Sequence, residues 1–263
     1  MNIGIIGAGR IGSILATGLA ASSDVEQLCV GKRGDDHTAL AQTSDVIILC
    51  VKPFQVNVVL EEIGPHLTDH HTLVSVAAAV SLKMLRAQAG DECALIRAMP
   101  NTPCRIGAGM TALAACVSTS EAEIERIKNL FSSIGRVCVV PEGQMDAVTG
   151  LSGCGPAYGY LIVEALTDAG VKLGIQRTTA QLLAAQTMLG AAQMILQTDK
   201  HPAALRDEVT TPAGCTIDGL MALEQGGLRT TLSNAVIAAA ARSAALCVKP
   251  RNCCNLIFVL IAS

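Results

Sequence analysis

Ile3-Gly4-Ile5-Ile6-Gly7-Ala8-Gly9-Arg10-Ile11-Gly12 is the stretch that decides the fold. Ile3–Ile6 is a short apolar run of strand character, and Ile11 to Ala21 carries an apolar helical pattern. Between them stands GxGxxG, in the strand–turn–helix setting that gives this pattern its meaning. Gly7 makes the tight turn, Gly9 lets the backbone meet a pyrophosphate, and Gly12 lets helix and sheet approach. Ala8, Arg10 and Ile11 complete the candidate cofactor contact. The alternative is a strand–turn–helix that is glycine-rich for packing alone.

Working outward, apolar runs alternate with helical segments. Strands are expected at Gln27–Val30, Val46–Val51, Thr72–Val76, Ala94–Met99, Gly109–Ala115 and Arg136–Val140. Helices are expected over Phe54 to Ile63 and over Glu121–Ser133, the latter opened by Ser118 or Ser120, each three residues ahead of a glutamate. The β-α-β order implies a Rossmann-type, doubly wound parallel sheet of the α/β class. The second strand ends in Val30-Gly31-Lys32-Arg33-Gly34, without the carboxylate that would hold a ribose 2′-hydroxyl. Lys32 and Arg33 suit a 2′-phosphate instead, so NADPH is the expected cofactor, with NADH as the alternative. Asp35 and Asp36 come a few residues too late, and the alternative for the two cations is a solvated turn. Lys52 and Pro53 close the third strand and Asn57 lies a helical turn further on, bordering the same crevice. Met99, Pro100 and Asn101 form a stiff loop, suited either to flank a nicotinamide or to serve structure alone.

The texture changes near residue 150, beyond which no strand pattern occurs. Pro156–Leu173, Thr178–Gln197 and Leu228–Leu246 read as long Ala/Leu-rich helices. We therefore divide the chain into a dinucleotide-binding domain, 1–150, and an all-helical domain, 151–263, of which 247–263 is an atypical tail. Ala-rich faces on a small helical domain are commonly buried against a second copy, so a homodimer through this domain is expected.

Composition narrows the function. Of 263 residues, 51% are hydrophobic and 16% charged, which supports a sizeable core and excludes disorder. A net charge of −3 and the absence of tryptophan argue against a nucleic-acid partner. No apolar run reaches membrane-spanning length, so no membrane association is expected. Met1-Asn2 leads straight into the first strand, which points to a cytoplasmic protein. The 11 cysteines lack CxxC spacing and read as structural thiols, not as a metal or redox site.

The helical half carries one chemically suggestive segment, Arg206-Asp-Glu-Val-Thr-Thr-Pro-Ala-Gly-Cys-Thr-Ile-Asp-Gly-Leu220. Pro212 fits the first turn of a helix, and small residues behind it would leave backbone N–H groups bare at the positive end of the dipole. Ala213, Gly214, Cys215 and Thr216 therefore form a candidate site for a small carboxylate substrate, with the Thr216 hydroxyl beside it. The alternative is an ordinary capped helix entry. His66, His70 and His71 read as a polar loop, Asp207 and Glu208 as a solvated face, and Lys172 as a helix C-terminal charge. Ser152 to Pro156 reads as a turn opening a helix at Pro156.

Taken in order, IGIIGAGRIG (3–12), VKP (51–53), RAMPNTP (97–103), LSGCGPAY (151–158), EALTDAGVKLGI (164–175) and DEVTTPAGCTIDGL (207–220) resemble the pyrroline-5-carboxylate reductase family. The resemblance covers residues 1 to about 246. It implies reduction of a cyclic imine acid to proline, the last step of proline biosynthesis, with Thr216 bonding the imine nitrogen or the product amine. It also implies that the backbone around Ala213, Gly214 and Cys215 holds the carboxylate. Two chains would interlock through the helical domain, with a decamer of five dimers as the larger assembly and an active site shared between partners. Cys154, Ala213 and Cys215 depart from the residues usual in that family, but all stay small. Two other classes fit the domain layout less well. A β-hydroxyacid dehydrogenase would need a catalytic lysine where only Lys172 is available, and a nucleotide-sensing protein would not need the TTPAGCT segment.

Overall fold

The computed structural model describes residues 1–246; the expected atypical tail, 247–263, lies outside the described residues. The described chain divides into two units, Met1–Cys154 together with residues 237–246, and Gly155–Val236.

The first unit is built on seven strands: β1 (Asn2–Ile6), β2 (Gln27–Gly31), β3 (Val46–Leu49), β4 (Thr72–Ser75), β5 (Ala94–Met99), β6 (Gly109–Ala115) and β7 (Gly135–Val139). They lie in the order β2-β1-β3-β4-β5-β6-β7. Helices α1 (Arg10–Leu19), α2 (His37–Gln42), α3 (Val56–Ile63), α4 (Leu82–Ala89), α5 (Glu121–Ser132) and α6 (Met145–Val148) connect or follow them. All pairings are parallel except β5 with β6. The fully parallel sheet expected from the strand order is thus broken once. The reason is length. Only a short turn, Thr102–Ile106, joins β5 to β6, whereas a parallel return needs a crossover of about a dozen residues or more.

Alternation along each strand sorts the core onto two faces. Ile47 and Leu49 of β3 pack with Leu73, Leu95 and the inner residues of α3 and α4. Val46 and Ile48, their immediate neighbours, pack on the opposite side with Leu15 and Leu19 of α1 and Leu130 and Phe131 of α5. Every residue of β3 is buried, as a central strand covered on both faces requires. Of the two possible caps of α5, Ser120 is the one used: its hydroxyl accepts the Glu123 amide at 3.2 Å. Glu123 does not reach back to close a box; its carboxylate bonds Thr72 on β4 and Arg126.

The second unit is helical: α7 (Gly155–Lys172), α8 (Arg177–Thr198), α9 (Pro202–Glu208), α10 (Cys215–Gln225) and the first half of α11 (Leu228–Ala245). Pro156 is the second residue of α7, one later than its expected place, because a π-type turn at Thr149–Gly153 runs into the helix. Helices α7 and α8 approach closely where Gly170 faces Ala180; a Cβ on Gly170 would sit 3.0 Å from that of Ala180. Otherwise the unit buries little of itself. Leu161, Leu182, Leu183, Leu189, Met221 and Leu223 are all exposed. Exposed apolar side chains in this number suit burial against another surface.

Candidate functional site

The carboxyl ends of β1, β2 and β3 open into a cleft of about 650 Å³. Ile6, Gly7, Ala8 and Gly9 form its floor, Lys32 to Asp35 one wall, and Cys50 to Lys52 with Phe54 the other. Crevices of this kind, at the carboxyl edge of a parallel sheet, bind ligands. Gly7 has a φ of +112°, and its N–H donates to the Gly31 carbonyl at 2.9 Å. A Cβ on Gly7 would lie 2.8 Å from the Cys50 carbonyl, and one on Gly12 only 1.9 Å from the Gly7 carbonyl oxygen. Neither position admits a side chain. Gly9 differs: nothing of the protein lies within 4 Å of its Cβ position. Space at Gly9 is open on the solvent side, and no side chain caps the start of α1 behind it. A pyrophosphate fits this cradle, taking the bare amides at the positive end of the helix.

Lys32 and Arg33 flank the cleft and enter no ion pair among the described residues. The carboxylates that follow them are committed elsewhere. Asp35 accepts the Lys32 amide at 2.7 Å, and Asp36 caps α2 by accepting the amides of Thr38 and Ala39. Their lateness in the sequence thus has a structural reading: they build the turn and the helix start.

Not every candidate of the sequence faces this cleft. Lys52 does, while Pro53 begins the short turn Pro53–Gln55 that leads into α3. Asn57 is not among the lining residues. The cleft face of this segment is Gln55, Val58, Val59 and Glu62, spaced at the three- and four-residue intervals of one helical face, and Asn57 stands off it. That periodicity was the available signal for Val58 and Glu62. His37, also in the lining, carried none, because it reaches the site through tertiary contacts. Arg10 is exposed, Ile11 half-buried and Gly12 buried at the first turn of α1. Met99, Pro100 and Asn101 lie at the end of β5, outside the cleft lining. The Asn101 side-chain amide donates to the Ser152 carbonyl at 3.2 Å and accepts the Met110 amide at 2.9 Å.

In the helical unit, α10 begins at Cys215, not at Pro212. Pro212 instead sits in a turn closed by the Gly214 N–H donating to the Thr211 carbonyl at 3.0 Å, with Ala213 at a φ of +56°. Proline followed by a positive φ is the pattern of a type II turn, which ordinarily takes glycine at the position of Ala213. Gly214 is the N-cap and no side chain caps the helix, so its first amides lack a side-chain acceptor. Cys215 is exposed and Thr216 half-buried beside them. The turn thus achieves what the expected helical proline was to do, by delivering an uncapped helix start next to a hydroxyl.

Thiol chemistry differs across the chain. Burial pushes the Cys50 thiol, on the cleft wall, up to about 12, which leaves it protonated and inert. Cys93 and Cys104 are also raised by burial. Cys116 is drawn down to about 7, chiefly by the Ser118 hydroxyl at 3.5 Å.

The sheet, its glycine cradle and the helical second unit define a dinucleotide-dependent oxidoreductase of the Rossmann type. Within that class, residues 142–246 match the family model described as pyrroline-5-carboxylate reductase dimerisation, and residues 27–79 one described as NADP oxidoreductase, coenzyme F420-dependent. A pyrroline-5-carboxylate reductase of Glycine max is 42% identical, over 92% of this chain and 94% of its own. The pyrroline-5-carboxylate reductase structure from Coxiella burnetii superposes with a TM-score of 0.86 at 33% identity, covering 94% of this chain and 99% of its own. That of Plasmodium falciparum pyrroline carboxylate reductase, solved with NADP bound, gives 0.85 at 32% identity, covering 94% and 98%. The chain belongs to the pyrroline-5-carboxylate reductase family.

Proposed function

We propose that this protein reduces 1-pyrroline-5-carboxylate to proline, with NADPH as the preferred cofactor and NADH as the alternative, and so catalyses the last step of proline biosynthesis. The observation that carries the reading is the uncapped start of α10 beside Thr216, in a chain whose relatives bear the name of this activity. Bound along Gly7–Gly12, NADPH supplies the hydride that reduces the imine carbon.

The protein's own part is binding and orientation. The amides of Cys215 and Thr216, with the Ala213 backbone beside them, hold the carboxylate, so that its charge meets the helix N-terminus; the Gly214 amide closes the turn instead. A fixed carboxylate sets the angle of the ring and places its carbon for transfer, a gain that comes from proximity and not from acid strength. An iminium accepts hydride far better than a neutral imine, so the nitrogen must carry a proton. Thr216 is a poor acid; its hydroxyl orients a proton that comes from water or arrives with the substrate. Lys32 and Arg33 take the 2′-phosphate, and Lys52 borders the nucleoside. Met99, Pro100 and Asn101 complete the nicotinamide side.

The exposed apolar faces of α7, α8 and α10, within the span of the dimerisation model, support a homodimer. A decamer of five dimers is the larger assembly to look for. Among the described residues no helix is long and apolar enough to cross a membrane. The test is NADPH oxidation followed by absorbance with pyrroline-5-carboxylate as the sole added substrate, and product analysis for proline. Proline formed in step with NADPH loss supports the reading. Cofactor binding without turnover, in a preparation of intact oligomer, overturns it in favour of a sensor.

A further inference from the structure

His37 is buried at the edge of the cleft, where it makes three polar contacts that tie α3 to the turn after β2. Its N–H donates to Glu62 Oε1 at 2.9 Å, and its Nδ1 lies 3.0 Å from Glu62 Oε2. Its Nε2 lies 3.1 Å from the Lys32 carbonyl oxygen. Both ring nitrogens therefore face oxygen atoms, one on Glu62 and one on the Lys32 carbonyl. That same carbonyl closes the turn by accepting the Asp35 amide at 3.1 Å, while Asp35 accepts the Lys32 amide.

Two consequences follow for a phosphate at Lys32 and Arg33. First, the turn that carries both cations is fixed at its ends: by Asp35 from within and by His37 from α2. Second, Glu62, which lines the cleft, has both carboxylate oxygens engaged by His37. An unengaged carboxylate there would oppose a phosphate dianion and compete for Lys32 and Arg33. The remaining nearby carboxylates, Asp35 and Asp36, are already committed to backbone amides.

We propose that His37, clamped by Glu62, is a positioning residue for cofactor specificity. It holds the Lys32–Asp35 turn in the shape that presents Lys32 and Arg33 to the 2′-phosphate, and it holds the Glu62 carboxylate so that it does not swing to pair with those two cations. The proposal rests on the NADPH reading given above, and concerns which residues generate the preference.

The test compares wild type with His37→Phe, whose ring fills the space without polar contacts while the main-chain N–H to Glu62 Oε1 remains, and His37→Gln, which keeps one side-chain donor. Steady-state kinetics with NADPH and with NADH give the ratio of the two kcat/KM values. Calorimetry with adenosine 2′,5′-bisphosphate and with 5′-AMP isolates the 2′-phosphate from the nicotinamide. For His37→Phe the NADPH:NADH ratio should fall about tenfold, mainly through the NADPH KM, as expected for a lost charge-assisted contact. The bisphosphate should lose its advantage over 5′-AMP, with His37→Gln between the two. A merely structural role would weaken both cofactors and both nucleotides together, so an unchanged ratio in a folded variant overturns the proposal. If the Phe variant does not fold, the Gln variant decides on the same ratio. A wild-type protein with no preference for NADPH, or none for the bisphosphate, would sink the NADPH reading itself.

Discussion

Asn101 Nδ2 donates to the carbonyl oxygen of Ser152 at 3.2 Å, across 51 positions of sequence, and so ties the loop after β5 to the π-type turn that leads into α7. The other end of the same amide accepts the Met110 N–H. One side chain thus joins three segments, and both ends of its amide are occupied by protein.

Asn101→Ala should therefore behave first as a stability variant. Two hydrogen bonds are lost and the Met110 amide is left without its acceptor, at a cost of about 1–3 kcal/mol. Thermal melting of the apoprotein checks this, and a Tm within a degree of wild type would refute it.

Gly9 and Gly12 should fail in different ways. Gly9→Ala meets no protein atom, so its Tm should stay near wild type while the NADPH KM rises about tenfold or more through lost backbone approach to the pyrophosphate. Gly12→Ala drives a methyl into the Gly7 carbonyl and should lower the Tm of the apoprotein itself. Melting curves with and without NADPH separate the two.

Removing the Thr216 hydroxyl should cost catalysis more than binding. Thr216→Ala is expected to lower kcat by about 10²-fold, the scale of one lost oriented donor, and Thr216→Ser to restore most of it. Unchanged turnover in Thr216→Ala would remove its assigned role.

Ala213 sits at a φ of +56°, where a Cβ is strained. Ala213→Gly should raise stability by up to about 1 kcal/mol, or a Tm gain of about 2–4 °C, with turnover retained. A fall in Tm would show that the turn needs the methyl for packing.

Among the described cysteines, Cys116 should be the thiol whose labelling rate turns over nearest neutrality. Its value drops from 9.0 to about 7 because the Ser118 hydroxyl donates to it, with the Arg86 guanidinium in turn donating to Ser118 at 3.1 Å. Peptide-mapped alkylation should give a rate that climbs with pH and levels off above about 7, while Cys50 stays unlabelled in the native state. Ser118→Ala should move that inflection upward. The same shift contributes stability that is fully present above pH 9 and fades as pH falls through about 7.

Local order was legible where one period or one motif sufficed. The strands came from apolar runs bounded by turn residues, and the glycine turn from its position between a strand and a helix. The reversal of β6 was missed because a strand's own residues do not state its direction; the short connection between Met99 and Gly109 was the signal that carried it. Ser118 and Ser120 look alike as caps in the sequence. Packing separated them, by drawing Ser118 to Cys116 and Arg86 and leaving Ser120 to the helix.

By itself, then, the sequence determined the family, the alternation that buries β3 on both faces, and the local backbone at Gly7, Gly9 and Gly12 and at the small run before Thr216. Those depend on backbone preference and on spacing along one element. Only the tertiary structure decided that Pro212 belongs to a turn and not to a helix, that Asn57 stands off the cleft face, and that His37 reaches both Glu62 and Lys32. Each of these is a contact between residues distant in sequence or a choice between competing hydrogen bonds, and the energy that settles it comes from neighbours brought together by folding.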